Sequence, residues 1–484
     1  MEGARDHGVR ILSRRMVRPT PPTAATGDHQ PPIEEIHLTP WDLRLVTVDY
    51  VQKGILLPQP PAGAGGAPLA DALASSFARA LGRFYPFAGR LATDERADGT
   101  VTVSLRCTGD GAEFVHAAAP GVSVADIAAS FYVPSAVVSS FFQLNEVLGA
   151  DAAVEEPPLP VLSAQVTELA DGVFVGVSLN HSVGDGTAFW QFFNTWSEIH
   201  RRRGIGDDDH LQEAKLTTPA PAAPWRWFLE SSPVPIPLPF RKLQHVVRRF
   251  DRPTVQECFF TFSAASVTKL KARANAEIAG TATSTISSLQ AVLAHLWRAV
   301  CRARRLEPEQ ATSYSILVGC RGRVRGVPAA GYIGNAVMFA GTEPTTAGEV
   351  EAKGLGWTAW LLNRAVASFD EARVRESLER WARAPDFAYA GSLSSRGTAL
   401  LTGSSPRFDV FGNDFGWGKP VAVRSGPGNK LDGKATMFEG PEKGGSMSLE
   451  VCIAPDALAR LLADAEFMDA VTKPAEYMTL ECPK

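Results

Sequence analysis

The chain has 484 residues, more than one ordinary hydrophobic core accommodates, so two domains are expected. It is 45% hydrophobic and 21% charged, a globular composition, and a formal net charge of −4 disfavours nucleic acid, whose phosphates require a basic surface. No run approaches the about 18 apolar residues of a membrane span, and six scattered cysteines without a CxxC pair predict reduced thiols, a cytoplasmic protein and no structural zinc.

Glu2 and Asp6 interrupt an arginine-containing start with no apolar segment, so no leader peptide is expected. Gly8 to Arg18 predicts a short strand, followed by a Pro-rich coil. Leu45, Val46 and Val48, then Ile55 to Leu57, predict two strands turning at Lys53-Gly54. The glycine-rich stretch from Ala62 to Ala67 lacks GxxxxGK[ST] and reads as a plain loop. Leu69, Leu73, Phe77, Leu81 and Phe84 recur at helical spacing. Tyr85 to Leu91 turns into a strand, and Val101 to Arg106 alternates as another. Leu162 to Leu169 and Val173 to Leu179 predict a hairpin around Asp171-Gly172. Its second strand leads into Asn180, His181, Ser182 and Asp185, and then into a helix with Phe189, Trp190, Phe193, Trp196 and Ile199 on one face.

Residues 201–253 carry the acidic run Asp207 to Asp209 and seven prolines between Pro219 and Pro239, a composition that packs no core of its own. The domains are therefore placed at 1–205 and 251–484, with a linker at 206–250. The second half restarts with a strand at Cys258 to Ser263. Ser287 and Gln290 have capping-box spacing ahead of a helix to Arg304, in which His295 reads as structural. A strand at Tyr314 to Val318, helices over Gly348 to Ser368 and Glu371 to Ala384, a strand at Ser446 to Cys452 and a helix from Pro455 to Phe467 follow. Strands and helices mix in both halves, an α/β pattern.

His181 with Asp185 four residues on is a usable general base. A lone histidine is more often structural, but this polar set follows an apolar strand directly, which is where sites sit. Asp185 can orient the imidazole as in a triad or cap the following helix; the structural role is preferred, with Gly186 permitting a tight backbone. A metal would need a third ligand that no His or Cys cluster supplies. Asp414-Phe415-Gly416-Trp417-Gly418 contains DFG, but no HRD loop accompanies it, and its glycines read as a structural turn. Arg424, Lys430 and Lys434 are either solvated charges or grips for the phosphates of a nucleotide-bearing donor.

HSVGDG (His181 to Gly186) and DFGWG (Asp414 to Gly418), more than two hundred residues apart, together resemble the BAHD acyltransferases, plant enzymes that use coenzyme A thioesters. The likeness runs through YPFAGRL, ISSLQAVLAHLWRA, Arg321-Gly322-Arg323, YIGNA and SMSLEVCI over nearly the whole chain. HLTPWDL, QKG and SSPRFDVFGNDFGWGK are most similar to a less characterised branch tied in part to cuticle or defence metabolism. The resemblance implies an α/β fold of two chloramphenicol-acetyltransferase-like domains with mixed sheets, joined by a long crossover and separated by a channel. It makes His181 the catalytic base, and Asp185 and Gly186 the keepers of its loop, with Arg321 or Arg323 as partner of Asp185. Asp414, Gly416, Trp417 and Gly418 become a structural motif away from substrate. Ser287, Arg424, Ser425 and Lys430 fall along the entrance for acyl-CoA, a co-substrate; no permanently bound cofactor and no metal are implied. The acceptor is a small-molecule alcohol or amine, and the working state a monomer.

Three positions depart from the family pattern. Gly319 stands where an Asp often precedes the RxR segment. Ser405, beside Ser404, replaces a Trp found near the developing oxyanion. YIGNA lacks the following Cys common in anthocyanin malonyltransferases. No GxSxG elbow and no Cys beside His181 supply a nucleophile, so direct transfer without an acyl-enzyme is expected. The competing readings are a catalytically inactive acyl-ligand-binding or regulatory homologue, in which His181 would serve no chemistry, and a condensation domain, which would place a second His where Asn180 stands.

Overall fold

The computed structural model describes residues 8–20, 34–61, 63, 65–203, 216–217, 225–280, 285–389 and 397–474. The acidic run Asp207 to Asp209, much of the predicted linker and Cys482 lie outside them.

Among the described residues the chain builds two six-stranded mixed sheets, a small three-stranded one and a two-stranded one. The first large sheet runs Arg10–Val17, Ala112–Ala119, Leu162–Leu169, Gly172–Leu179, Val51–Pro58 and Ala422–Ser425 in spatial order. The predicted hairpin is its centre. Every residue of Gly172–Leu179 is buried, because helices and loops cover both faces. Helices Ala67–Arg83 and Gly186–Arg201 lie together, interlocked by Phe77, Phe84, Phe192 and Trp196, whose rings meet edge to face at 5.0–5.6 Å. The second large sheet runs Val337–Gly341, Tyr314–Gly319, Leu400–Gly403, Lys434–Glu439, Met447–Ile453 and Gln256–Phe262. Helices Ala264–Glu277, Ser288–Ala303, Gly354–Ala367 and Pro455–Leu462 share its core.

Several expectations are corrected. Val51–Pro58 is one unbroken strand with no turn at Lys53-Gly54. Gly54 is there for space, since the ring of Phe174 on the neighbouring strand occupies the place of a side chain. The predicted helix over Gly348 to Ser368 breaks at Lys353 before Gly354, whose φ is +81°. The closing helix breaks where Asp464 caps a second short helix, Ala465–Asp469. Most consequential is Ala422–Ser425, which comes from the second half of the chain yet pairs antiparallel with Val51–Pro58, Ser425 opposite Lys53 and Ala422 opposite Leu56. The first sheet is thus completed by residues beyond the crossover. No helix among the described residues is long and apolar enough to cross a membrane.

Candidate active site

The loop after the hairpin is fixed before any ligand is considered. Asn180 is fully buried; its Oδ1 accepts from Ser182 N at 3.0 Å and Ser182 Oγ at 2.7 Å, and its Nδ2 donates to the Gly149 carbonyl at 3.0 Å. This side-chain turn ends the strand and places His181 at the join. Asp185 then caps helix Gly186–Arg201, its Oδ1 accepting from Thr187 N at 3.0 Å and Ala188 N at 3.2 Å. The same carboxylate takes both guanidinium nitrogens of Arg321, at 2.6 and 3.0 Å, and Ala336 N at 3.0 Å. Asp185 therefore joins the helix to the second sheet, and its hydrogen bonds go there rather than to the imidazole. Burial would raise its carboxyl, but the Arg321 charge and these donors hold it below the usual range. With Gly319 in place of an Asp, Arg321 is oriented instead by the carbonyls of Tyr332 at 3.2 Å and Gly334 at 2.8 Å.

Three residues absent from the sequence reading of the site complete the loop's support. Asn335 Nδ2 donates to the carbonyl of His181 at 2.7 Å, and both Asn335 N and Nδ2 donate to Asp42 Oδ1 at 2.9 Å. Asp42 is held by Thr39 in a capping box on the short helix Pro40–Leu43. Arg226, from the crossover, donates to the carbonyl of Val183 at 3.0 Å and approaches Asp42 Oδ2 at 3.3 Å. Thr39-x-x-Asp42 carried a signal as a cap, and Asn335 lay inside the quoted YIGNA; Arg226 in its Pro-rich surroundings carried none.

His181 itself is surrounded by protein yet keeps accessible surface. Burial pushes its pKa below the ordinary histidine value; its own carbonyl, Asp185 and Asn335 pull the other way, while the charge of Lys434 adds to the lowering. The net lowering favours the neutral, basic form of the ring. Its Nδ1 is buried with no hydrogen-bond partner among the described residues, while the Asn335 amide holds the backbone carbonyl of the same residue.

The DFGWG segment lies elsewhere. Asp414 Oδ1 accepts from Gly416 N at 2.7 Å and Gly418 N at 3.2 Å, a turn that needs φ of +106° and +134° at the two glycines. Phe415 packs edge to face on Trp196 at 5.1 Å, and Trp417 Nε1 donates to the Pro58 carbonyl at 3.1 Å. Phe415 and Trp417 also meet His200, near the C-terminal end of helix Gly186–Arg201 and about 21 Å along it from Gly186 at about 1.5 Å per residue. The motif anchors the chain where it crosses to the first sheet. Phe415→Ala is expected to lower unfolding free energy by about 3–5 kcal/mol in urea titrations, without moving the pH dependence of whatever chemistry His181 performs.

Of the residues expected at a coenzyme entrance, Ser425 and Lys430 share Glu450 and Arg424 precedes Ser425 on the same strand, while Ser287 stands apart. Ser287 is an exposed N-cap on Ser288–Ala303. Arg424 is 1% exposed, donates to the carbonyls of Val423 and Ile127 at 2.8 and 2.9 Å and lies 4.4 Å from the Phe259 ring centroid. Ser425 is buried, its N donating to Glu450 Oε2 at 3.0 Å. Lys430 is enclosed between Glu257, at 2.6 Å, and Glu450. The reading of Arg424 and Lys430 as solvated charges is corrected: insertion of Ala422–Ser425 beside Val51–Pro58 draws both into the seam between the sheets. Glu257, Glu450 and Cys452 have the spacing of a cation site, but the Lys430 ammonium already sits between the two carboxylates.

Two mixed sheets meeting over a histidine loop define a fold shared with solved structures. One is TRI101 of F. sporotrichioides complexed with coenzyme A and T-2, with TM-score 0.69 and 17% identity over 91% of this chain and 99% of that one. Another is vinorine synthase, with TM-score 0.65 and 18% identity over 96% and 99%. The family model described as the Transferase family matches residues 8–468. Over 440 residues, 90% of this chain and 94% of the relative, it is 37% identical to an uncharacterized acetyltransferase of Arabidopsis thaliana. Over 476 residues it is 29% identical to the BAHD acyltransferase DCR of Arabidopsis thaliana, covering 95% and 92%. The chain belongs to this Transferase family, that of the BAHD acyltransferases, and is an acyltransferase.

Proposed function

We propose that the protein moves an acyl group from a coenzyme A thioester to a hydroxyl or amine of a small specialised metabolite or cuticle precursor, with His181 as general base. The observation that carries this reading is a partly accessible imidazole on a loop tied to the second sheet through Arg321 and Asn335, with burial pushing its pKa below the ordinary value. The coenzyme A bound by TRI101 supports the donor class. His181 Nε2 takes the acceptor proton as oxygen or nitrogen attacks the thioester carbon. The tetrahedral oxyanion collapses, the C–S bond breaks, and the imidazolium returns its proton to the departing thiolate.

Burial pushes the thiols of Cys258, Cys320 and Cys452 up to about 12, which weakens any cysteine nucleophile and favours direct transfer. Ser404, held at a φ of 72°, and Ser405 precede Phe408, whose ring lies 3.1 Å from where a side chain on Gly186 would begin. Their hydroxyls are the oxyanion donors this reading favours. The reading places the enzyme in the cytoplasm as a monomer.

The test is thiol release from acetyl-, malonyl-, benzoyl-, hydroxycinnamoyl- and long-chain acyl-CoA with pooled alcohols and amines. His181→Ala is expected to lower acceptor-dependent release by about 10²–10⁴-fold; unchanged turnover would remove His181 from the mechanism, and acyl-CoA binding without turnover would favour an inactive homologue. Because the imidazole pKa is depressed, the base form persists on acidification. The acid limb of kcat/KM is therefore expected below pH about 6.5, and Lys434→Met, which removes a lowering charge, is expected to move it upward.

A further inference from the structure

The seam beside His181 contains a charge imbalance that the transfer mechanism does not use. Lys53, Lys430 and Lys434 lie there with Glu257 and Glu450. Lys430 takes both carboxylates. Among the described residues neither Lys53 nor Lys434 forms an ion pair. Lys53 Nζ donates to Ser425 Oγ at 2.6 Å and lies 5.2 Å from the centroid of Phe438 on the second sheet. Lys434 Nζ donates to the carbonyl of Asn429 at 2.8 Å. Both side chains keep accessible surface although protein surrounds them, so neither is wholly packed away.

An unmatched ammonium in such a place is unfavourable. Burial brings Lys53 down to about 7 and Lys434 to about 8. Glu450 opposes this for both, and Asp49 also for Lys434, while the neighbouring lysines add to the lowering. Without a carboxylate paired to either, the two amines suit a visiting anion, whose charge would hold them protonated.

The position says which part of a substrate carries it. Lys53 pairs with Val177, and Val51 with Leu179, the last strand residue before the His181 loop. The charge of Lys434 reaches the imidazole itself. The phosphates of coenzyme A are a whole pantetheine arm from the thioester, so an anion here belongs to the reacting end.

Resting on the acyltransferase reading, we infer that Lys53 and Lys434, with the Ser425 hydroxyl, form a carboxylate-binding subsite beside His181, and that a preferred substrate carries a free carboxylate on its acyl group or on its acceptor.

Matched acid and neutral probes test this. On the donor side, succinyl-CoA is compared with butyryl-CoA; on the acceptor side, 3-hydroxybenzoate with its methyl ester. The expected result is higher kcat/KM for the acid in one pair, which identifies the partner bearing the carboxylate. Lys53→Met and Lys434→Met are expected to remove about ten- to hundred-fold of that preference, the worth of a charged hydrogen bond, with a smaller effect on the neutral member. Lys53→Arg is expected to retain it. Calorimetric titration of His181→Ala with 3-hydroxybenzoate, succinate and free coenzyme A separates the two readings. Acid binding without turnover in the wild type would keep the subsite and sink the transferase; turnover with no acid preference in either pair would do the reverse. A preference that survives both Met substitutions, or Met variants that weaken free coenzyme A as much as the acids, would also overturn the subsite. The wild-type comparison stands even if a variant fails to fold.

Discussion

Asp185→Ala is expected to lower unfolding free energy by about 3–5 kcal/mol, because it leaves the Arg321 guanidinium buried without its partner. Side-chain exposure at the pair is 7% for Arg321 and 1% for Asp185, so water cannot replace the lost carboxylate. The substitution also removes a helix cap, worth about 0.5–2 kcal/mol in its own right. Arg321→Ala strands the carboxylate but leaves it the backbone donors of Thr187, Ala188 and Ala336, so its penalty is expected to be smaller. The double substitution should then fall well short of the sum of the two singles. Urea titrations of the four proteins measure this; additive losses would mean that the pair does not hold the sheets together.

The pH dependence adds an independent sign. The Asp185 carboxyl is lowered in the folded state, so its contribution is present above its unfolded value and fades as pH falls through the folded one. Removing Arg321 raises the folded value, and the loss of stability on acidification should begin at higher pH. Turnover should fall with Asp185→Ala even where the protein is folded, since the loop carrying His181 loses its tie to the second sheet.

That tie marks the boundary of what the sequence reveals. The hairpin, the helix after Asp185 and the capping box of Ser287 with Gln290 follow from spacing alone, and so His181 could be found at a strand-to-helix join. The residues that fix its loop could not be found this way. Asp42 and Asn335 are 293 positions apart, and nothing local pairs them. Gly54 reads as a turn because a glycine between apolar runs usually is one; only the neighbouring Phe174 ring explains it as a gap in an unbroken strand. Ala422–Ser425 is four residues long, and its place in the first sheet is set by the edge it joins rather than by its own pattern. That insertion also misleads about charge. Lys and Arg are read as surface by default, whereas Arg424 and Lys430 are carried inward with it.

Lys430→Met should therefore behave unlike the other two lysine substitutions in the seam. It leaves Glu257 and Glu450 buried and facing each other, and a loss of about 3–5 kcal/mol is expected. Lys53→Met and Lys434→Met remove ammoniums that form no ion pair among the described residues and feel Glu450 only at longer range, so their losses are expected to be much smaller than that of Lys430→Met in the ligand-free protein. The sign of the acid response should also reverse. In the wild type, burial would raise the Glu450 carboxyl, but the Lys430 and Lys53 charges overcome it and hold the group at about 2. Its contribution is thus present above the ordinary carboxylate value and is lost as pH falls through about 2. Without Lys430 the carboxyl rises above its unfolded value, so mild acidification from neutral pH should stabilise Lys430→Met relative to wild type. Adding Glu450→Gln should recover much of the loss and abolish that response. Denaturation midpoints at neutral and mildly acidic pH decide it: equal losses for all three lysines would mean that Lys53 and Lys434 are held as Lys430 is, and would leave no spare charge in the seam for a substrate carboxylate.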